Sequence, residues 1–389
     1  MPRTRRKVAL VIETSNAYAR DLLHGVRSWV REHGAWAMRL TEHGRGADVP
    51  GWLQDWRGDG IIARVENEAI AAALKATKLP VVDVSAALPQ PRFPRVITDS
   101  RAVTQLAAAH LIERGFKHFG YCGEPRFLWA HQRAGYFKDH LRQAGFECSV
   151  FTPANRSNRA GRMEKEVLAI ARWLRGLPKP VGILACYDIV GQQVLEACQF
   201  AGLAVPDAVA VLGVHNDELL CDLCDPPLTS VIPNARRAGY VAAGLLSEMM
   251  NRRRVPVEDH LVEPIGVAAR QSTDVVAVRD EKVAAAIRFI REHAQANIVV
   301  GDVLRALPMS RTLLERKFKE SLGCTPHEHI QNTRMERVKT FLATTTLPIA
   351  AIADRMGFEH VEYLSVAFRR ATGLSPRDYR TRHRSHQAT

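Results

Sequence analysis

The sequence predicts two doubly wound α/β lobes with a cleft between them, followed by a separate all-α domain that contains a repeat. Short apolar runs alternate with helix-period segments over about the first 270 residues, which is typical of parallel sheets covered by helices. This strand signal stops near residue 281. Beyond it, the pattern L-x-x-x-F-K/R-x-x-x-G-x-T/S-P occurs twice at an offset of 50 residues, at Leu314–Pro326 and Leu364–Pro376.

The first apolar run, Val8–Ile12, has the length of a strand buried on both faces of its sheet, and a helix with apolar spacing is predicted at Leu22–Val30. A chain of many such βα units is expected to divide into two lobes. Further strands are predicted at Gly60–Ala63, Pro80–Val84, Val96–Asp99, Phe119–Cys122, Gly182–Cys186 and Val209–Gly213. Further helices are predicted at Glu68–Ala76, Val103–Arg114, Gln132–Ala144 and Val190–Ala201.

Polar and aromatic side chains follow several of the predicted strands, where ligands bind in parallel α/β sheets. The two candidate carboxylates, Asp99 and Asp188, both precede predicted helices and would fit the role of N-caps equally well. Tyr18 fits a loop anchor, and His215 fits an ordinary histidine. Taken together, these strand ends predict a wet cleft for a hydroxylated ligand such as a sugar. The candidates are Asn16, Tyr18, Asp99, Asp188, His215 and Asn216.

Four motifs in the α/β region resemble the ligand domain of the LacI/GalR-type regulators, which has a periplasmic-binding-protein-like fold. They are V-P-D-x-V-A-V-L-G-V-H-N at Val205–Asn216, P-P-L-T-S-V at Pro226–Val231, A-G-x-x-A-A at Ala238–Ala243, and Ala268–Thr273, which looks like that domain's closing strand. The resemblance covers about residues 7–273 and implies two lobes that close over a small molecule. It implies three crossovers between them, near Ile97–Arg101, Thr229–Pro233 and Glu263–Val267.

The same resemblance implies a set of ligand contacts. Arg133 lies in W-A-x-x-R-x-x-Y-F, where the family has an arginine that reaches the ligand. His215 is a departure, because relatives usually carry an aspartate there and an imidazole cannot accept two hydroxyl hydrogen bonds as a carboxylate can. The departure is expected to affect the identity or affinity of the ligand. The implied contacts are the Asn16/Tyr18 loop, Asp99, Arg133, Asp188 and the His215/Asn216 pair.

The last part of the chain carries more than half of the formal net charge of +13. From Glu281 onward, 18 Lys and Arg against 11 Asp and Glu give a net charge of +7. A basic helical region favours a polyanionic partner, although a merely solubilising surface would also fit the charge.

The repeat predicts two helix–turn–helix units joined by an amphipathic helix over Pro326–Thr344. Each unit has a short helix, a tight turn and a second helix whose polar face is free to enter a major groove. Two units on one connecting helix would reach successive major-groove segments of double-stranded DNA. The first unit covers Gly301–Leu307, a turn at Pro308–Met309 and a Ser310-capped helix to Leu322, and the second covers Ile349–Met356, a turn at Gly357–Phe358 and a helix from about His360 to Thr372.

Several motifs between Phe318 and Arg380 resemble those of the AraC/XylS-type DNA-binding domain, over about residues 281–381. They include F-K-x-x-x-G, R-x-x-x-V-x-x-F-L, G-F-x-x-x-x-Y-L-x-x-x-F and G-L-S-P-x-x-Y-R. The resemblance implies base contacts from Ser310, Thr312, Glu315 and Arg316 in the first unit, and from His360, Glu362 and Ser365 in the second. Phosphate contacts are expected from Arg311, Lys319, Arg369 and Arg370.

Pro308 departs from this resemblance, because relatives often have glycine in the turn. Proline fixes φ near −65° and cannot adopt the left-handed conformation of such a glycine. The first unit is therefore expected to seat differently on DNA from the second. Because Arg311 and Arg316 lie in the first unit, that unit is expected to contribute more base-specific energy.

A chain that combines these two domains is similar to the xylose-operon regulators. The resemblance implies a ligand sensor at 7–273, a linker at 274–280 and a DNA-binding domain at 281–381. It predicts a homodimeric, ligand-dependent transcription activator of sugar catabolism genes that works with RNA polymerase on tandem DNA half-sites. A pentose such as D-xylose is the expected effector. A sugar-responsive repressor fits the same sequence.

An enzyme that acts on a sugar and carries a DNA-binding module is the rival class. The sequence lacks the G-x-x-x-x-G-K-[S/T], G-x-S-x-G and H-E-x-x-H motifs. The single C-x-x-C pair, Cys221 and Cys224, has no second pair at zinc-site spacing, so neither a metal nor another cofactor is expected. No signal peptide and no run of 18 apolar residues is present, which predicts a cytoplasmic protein without a membrane partner.

Overall fold

The structure is a computed structural model that describes residues 5–41, 50–125, 127–153, 162–274, 280–293, 297–345, 347–358 and 360–384. The chain forms two compact units, Met1–Val275 and Val276–Thr389, called here the sensor unit and the helical unit. The boundary falls inside the predicted linker 274–280, most of which (275–279) lies outside the described residues.

The first lobe of the sensor unit, the N-lobe, is a six-stranded sheet in which all described strand pairs are parallel. Its strands are β1 (Arg6–Val11), β2 (Trp36–Leu40), β3 (Gly60–Ala63), β4 (Val81–Asp83), β5 (Arg95–Thr98) and β11 (Asp259–Val262), in the order β11-β5-β4-β3-β1-β2. Helices α1 (Ala17–His33), α2 (Glu68–Ala76) and α8 (Ala235–Met250) pack against it.

The contact between α1 and α8 depends on two glycines. A Cβ added at Gly25 would lie 1.9 Å from the carbonyl oxygen of Arg236, and one added at Gly239 would lie 2.0 Å from that of Leu22. Neither position has room for any side chain, so the two helix backbones touch directly. This close approach joins α8 to the core of the N-lobe, where Leu22 and Val26 are fully buried.

The second lobe, the C-lobe, has the same architecture with one antiparallel edge strand. Its strands are β6 (His118–Cys122), β7 (Cys148–Phe151), β8 (Val181–Ala185), β9 (Val209–Val214), β10 (Thr229–Ile232) and β12 (Gly266–Ala268), in the order β12-β10-β9-β8-β6-β7. Its helices are α3 (Ser100–Glu113), α4 (Leu128–Gln143), α5 (Arg162–Gly176), α6 (Asp188–Ala201) and α7 (Glu218–Leu223).

The chain crosses between the lobes three times, from β5 to α3, from β10 to α8 and from β11 to β12. The two-lobed, periplasmic-binding-protein-like fold expected from the sequence is therefore confirmed. Strands β2, β7, β10 and β11 were not predicted. Of these, β2, β7 and β11 are edge strands that lack the buried apolar run of a central strand. The closing strand implied at Ala268–Thr273 is wrong in its bounds, because β12 ends at Ala268 and Gln271–Thr273 forms a 3-10 helix.

The last residues of the C-lobe are anchored by buried hydrogen bonds. The Ser272 hydroxyl donates to the Val211 carbonyl oxygen (2.6 Å) and accepts from the Thr229 amide (2.8 Å). The Thr273 hydroxyl donates to Thr229 Oγ1 (2.8 Å) and is hydrogen-bonded to His110 Nε2 (2.8 Å). Burial lowers the pKa of His110 to about 4, so the anchor contains a neutral imidazole at neutral pH.

The helical unit contains two small cores that share one long helix. Its helices are α9 (Glu281–Glu292), α10 (Val300–Ala306), α11 (Arg311–Leu322), α12 (Pro326–Thr344), α13 (Ile349–Arg355), α14 (Val361–Thr372) and α15 (Pro376–Arg384). Helix α12 begins with a capping box between Thr325 and Glu328. It contributes Ile330 to the first core and Val338 to the second, and therefore carries both helix–turn–helix units.

Candidate functional site

A small cavity of about 40 Å³ lies in the sensor unit beside the crossovers and is lined from both lobes. Its lining residues are Tyr18, Arg64, Val84, Ser85, Ala86, Ile97, Thr98, Ser100, Trp129, Arg133, His215 and Pro233. The cavity is a partly open cleft rather than an enclosed chamber.

His215 lies among three aromatic rings in this cleft. Its ring centroid is 5.1 Å from that of Tyr18, 6.0 Å from Tyr187 and 6.1 Å from Trp129. His215 follows strand β9 directly and has a positive φ of 110°, which is uncommon for a residue with a side chain. The group forms an aromatic wall on which the apolar face of a sugar ring could stack.

Arg133 is a buried cation at the cavity, with only 4% of its surface exposed. It donates a hydrogen bond to the Cys186 carbonyl oxygen, and its Cζ lies 5.0 Å from the centre of the Trp129 ring. Its Nε has no hydrogen-bond partner among the described residues, and burial lowers the pKa of the guanidinium. A buried guanidinium that lines the cavity favours a ligand that brings oxygen acceptors.

Arg64 also lines the cavity and was missed by the sequence analysis. It forms ion pairs with Glu13 (2.7 Å) and Glu66 (3.3 Å), and its Cζ lies 5.7 Å from the centre of the Tyr18 ring. Arg64 directly follows β3, whose bounds were predicted correctly. The rule that residues after strands face the cleft could therefore have found it.

The structure brings three of the seven predicted ligand residues, Tyr18, Arg133 and His215, to the cavity. Two others, Asn16 and Asp99, are N-caps, of α1 and α3 respectively. Asn216 accepts a hydrogen bond from Arg270 through its Oδ1 atom (2.8 Å). None of these last three is among the lining residues, and their contact with a ligand stays a prediction.

Asp188, the remaining candidate, is 2% exposed and is not among the lining residues either. Its carboxylate accepts hydrogen bonds from the Ser230 hydroxyl (2.6 Å) and the Asp217 amide (2.8 Å). The N-cap interpretation is wrong here, because Tyr187 occupies the cap position of α6. Burial raises the pKa of Asp188 to about 7 in spite of these hydrogen bonds. The carboxylate thus fixes the loop after β9, which carries His215.

Helix α11 of the helical unit has an exposed polar face, as predicted. Leu314 and Phe318 are fully buried on its opposite face. Arg311 forms an ion pair with Glu315 (2.9 Å) one turn further on, and Lys319 donates to the Gly323 carbonyl oxygen (3.0 Å). Ser310 is the N-cap and accepts from the Leu313 amide (3.3 Å). All six predicted contact residues of the first unit are exposed, namely Ser310, Arg311, Thr312, Glu315, Arg316 and Lys319.

Helix α14 of the second unit is arranged in the same way. Leu364 and Phe368 are fully buried, whereas the predicted contact residues His360, Glu362, Arg369 and Arg370 are exposed. Ser365 is half-buried and donates to the Val361 carbonyl oxygen (3.0 Å). Tyr363 and Val366 also lie on the outer face, with 62% and 69% of their surface exposed.

The two turns differ, as Pro308 predicts. The residue before Pro308 is extended (φ −125°), whereas Gly357 is left-handed (φ +65°) and packs so closely that a Cβ would lie 3.0 Å from Asn297. Arg334 of α12 holds the second turn by donating to the Met356 carbonyl oxygen (2.6 Å) and Asn297 Oδ1 (3.2 Å). Whether the units also seat differently on DNA stays a prediction.

Within the part of the chain that the structure describes, no group of three or more His, Cys, Asp or Glu side chains could hold a metal ion. Cys221 and Cys224 are both buried free thiols, and burial raises the pKa of Cys224 to about 11. Among the described helices, none is both long and apolar enough to cross a membrane.

A two-lobed ligand domain and a pair of helix–turn–helix units define a class of protein, the ligand-responsive, DNA-binding transcription regulators. Three family models divide the chain in the same way. A model described as "XylR N-terminal domain" matches residues 7–100, "Periplasmic binding protein-like domain" matches 108–273, and "Helix-turn-helix domain" matches 303–382.

Similar proteins match over nearly the whole chain. The "Xylose operon regulatory protein" of Escherichia coli strain K12 is 31% identical over 389 residues, covering 97% of each chain. That of Haemophilus influenzae is 29% identical over 383 residues, covering 96% of this chain and 98% of its own. A solved structure of a "xylose-binding transcription activator xylR" is 30% identical with a TM-score of 0.81, covering 98% of this chain and 99% of that one.

The chain therefore belongs to the xylose operon regulatory protein family. It is a transcription regulator and not an enzyme, because these relatives are regulators.

Proposed function

We propose that the chain is a homodimeric transcription activator of sugar catabolism genes that responds to D-xylose. In this proposal, residues 7–273 sense the sugar and residues 281–381 bind tandem DNA half-sites in the cytoplasm and engage RNA polymerase. The observation that carries the proposal is the cleft at the lobe crossovers, lined by Tyr18, Arg133 and His215. Support comes from relatives whose names refer to xylose and that match 96% or more of the chain.

The cleft offers the kinds of groups that recognise a small polyol. Ser85, Thr98 and Ser100 supply hydroxyls, and Arg133 supplies N–H donors to sugar oxygens. The aromatic wall around His215 supplies a face for the C–H groups of the ring.

Binding becomes a switch only if the sugar prefers one arrangement of the lobes. Because the cleft is lined from both lobes, a sugar bound in it would favour one separation of the lobes over another. The three crossovers are the segments that would absorb this movement. The anchored residues Ser272 and Thr273 would transmit the C-lobe position to the start of the linker.

A thermal-shift experiment tests the sensor half of the proposal. A ligand at 100 times its Kd adds about 2.7 kcal/mol of stability, which is roughly 5–10 °C for a domain of this size. D-xylose should produce such a shift in the full chain, and hexoses should produce less. Arg133→Met should abolish the shift, whereas Arg142→Met, which changes an exposed arginine of the same helix, should not.

DNA-binding and reporter measurements test the other half. A gel-shift titration should show higher affinity for the upstream DNA of the regulated genes with D-xylose than without it. A reporter assay should show activation by the sugar. If the protein instead represses the reporter and the sugar relieves this repression, the protein is a sugar-responsive repressor. DNA affinity unchanged across a panel of pentoses and hexoses would refute the sugar switch.

A further inference from the structure

The two helix–turn–helix units present different chemistry at matching positions of their outward faces. Because the units repeat at an offset of 50 residues, each outward position of α11 has a counterpart on α14. The pairs are Arg311 and Val361, Thr312 and Glu362, Glu315 and Ser365, Arg316 and Val366, and Lys319 and Arg369. Two of these pairs have an arginine in the first unit, and in both the second unit has a valine.

Val366 has no role in the core of the helical unit. It is 69% exposed, and the apolar contacts of α14 are made by Leu364 and Phe368 on the opposite face. Tyr363, three residues earlier, is 62% exposed and lies beside Val366 at helical spacing. Its counterpart in the first unit, Leu313, is half-buried. The two exposed side chains therefore form an apolar patch that the described residues of the unit leave uncovered.

The surroundings of this patch favour DNA as its occupant. Arg369 and Arg370 are exposed at the end of the same helix, where they can contact phosphates on the rim of a groove. The C5-methyl group of thymine is the apolar group that a base pair presents in the major groove. An apolar side chain flanked by phosphate-binding arginines is complementary to that methyl group. Arg316, at the matching position of the first unit, instead suits the O6 and N7 acceptors of guanine.

We propose that Val366, supported by Tyr363, reads a thymine methyl group, so that the two units recognise different bases at equivalent positions. This inference rests on the proposed function as a DNA-binding activator. It names the base class that the second unit selects. It also predicts that the two half-sites are not copies of one another.

The test uses DNA sequences selected in vitro from a randomised library by the full-length chain in the presence of D-xylose. Each thymine of the selected site is then replaced in turn by deoxyuridine, which removes only the methyl group. Replacing one particular thymine of the second half-site should lower the affinity of the wild-type protein about fourfold, as expected for the loss of one buried methyl group. The Val366→Ala variant should bind the thymine and uracil forms of that position equally.

Two further variants complete the design. Arg316→Ala serves as the control, because it should weaken binding at the first half-site and keep the uracil effect at the second. Val366→Arg transfers the residue of the first unit to the second, and a new selection should replace the thymine with guanine at the affected position. Because Val366 is exposed, circular dichroism spectra and melting temperatures of these variants should match the wild type.

Three outcomes would overturn the inference. The first is that no single thymine-to-uracil replacement weakens binding, and the second is that Val366→Ala keeps the wild-type uracil effect. The third is that Val366→Ala binds DNA normally yet loses activation in a reporter assay, which would assign the patch to a protein partner such as RNA polymerase. Failure to enrich any DNA sequence would overturn the proposed function itself and this inference with it.

Discussion

Substitution of Gly239 by alanine should destabilise the sensor unit. An added Cβ at this position would lie 2.0 Å from the carbonyl oxygen of Leu22, and the atom it meets belongs to the backbone of α1. Contacts of this kind are not found below about 3 Å, so α1 and α8 must move apart by about 1 Å. The movement loosens the fully buried contacts of Leu22, Val26 and Ala242.

The magnitude follows from two opposing effects. Replacing glycine by alanine within a helix stabilises it by about 0.8–1.0 kcal/mol. Overpacking costs about 1–3 kcal/mol when side chains can adjust, and a backbone obstacle places this site at or beyond the upper limit. The expected net loss is about 2 kcal/mol, which lowers the melting temperature of the sensor transition by roughly 4–8 °C.

Helix α8 provides its own control for this experiment. A Cβ at Gly244 would meet Trp29 atoms no closer than 3.4 Å, so Gly244→Ala should keep its helical gain and leave stability equal or higher. Calorimetry of the full chain should resolve the sensor transition, with urea titration of tryptophan fluorescence as a second measure. If Gly239→Ala melts within 1 °C of Gly244→Ala, the direct backbone contact between the helices is wrong.

Three further predictions concern the buried carboxylate of Asp83, the second turn and the two DNA-contacting faces. Burial raises the pKa of Asp83 to about 7. The stability of the wild type therefore falls as the pH rises from about 4 to about 7, because the unfolded carboxyl ionises while the buried one stays protonated. Asp83→Asn keeps the oxygen that accepts from the Val65 and Ser85 amides. The urea midpoint of this variant relative to that of the wild type should therefore rise between pH 5 and pH 8. A difference between the two midpoints that stays constant with pH would contradict this reasoning. Gly357→Ala should weaken DNA binding at least tenfold, because its φ is +65° and Asn297 blocks a Cβ, whereas Gly301→Ala, where space is open, should be nearly neutral in the same gel-shift assay. Arg316→Ala should cost more DNA affinity than Glu362→Ala, and equal losses would disprove the predicted dominance of the first unit.

The sequence predicted the bounds of helices and strands well where the residues follow a simple pattern of apolar spacing. The bounds of β3 and α2 match the prediction, because one is a short apolar run and the other an alanine-rich helix capped by Asn67. The buried faces of α11 and α14 were predicted because the repeat gives two independent views of one pattern. The edge strand β2 was missed because four of its five residues are exposed.

The ligand cleft was predicted less completely than the fold. The strand-end rule locates residues at the correct edge of a sheet but does not determine where a side chain points. Asp99 and Asn16 lie at that edge, yet their side chains turn back to cap helices. Asp188 also lies there, but Ser230, 42 residues away in the sequence, directs its carboxylate away from the cavity. Such partners are set by tertiary structure and leave no local pattern.

The anchor formed by Ser272 and Thr273 has a consequence for how such regulators arise in evolution. The sensor unit completes its fold with hydrogen bonds to Val211, Thr229 and His110, all within its own C-lobe. Everything after residue 274 can therefore be exchanged without removing a contact that the anchor needs. Recombination at this point could join the same sensor to a different output module, and an engineered biosensor that uses this sensor unit could be cut at the same place.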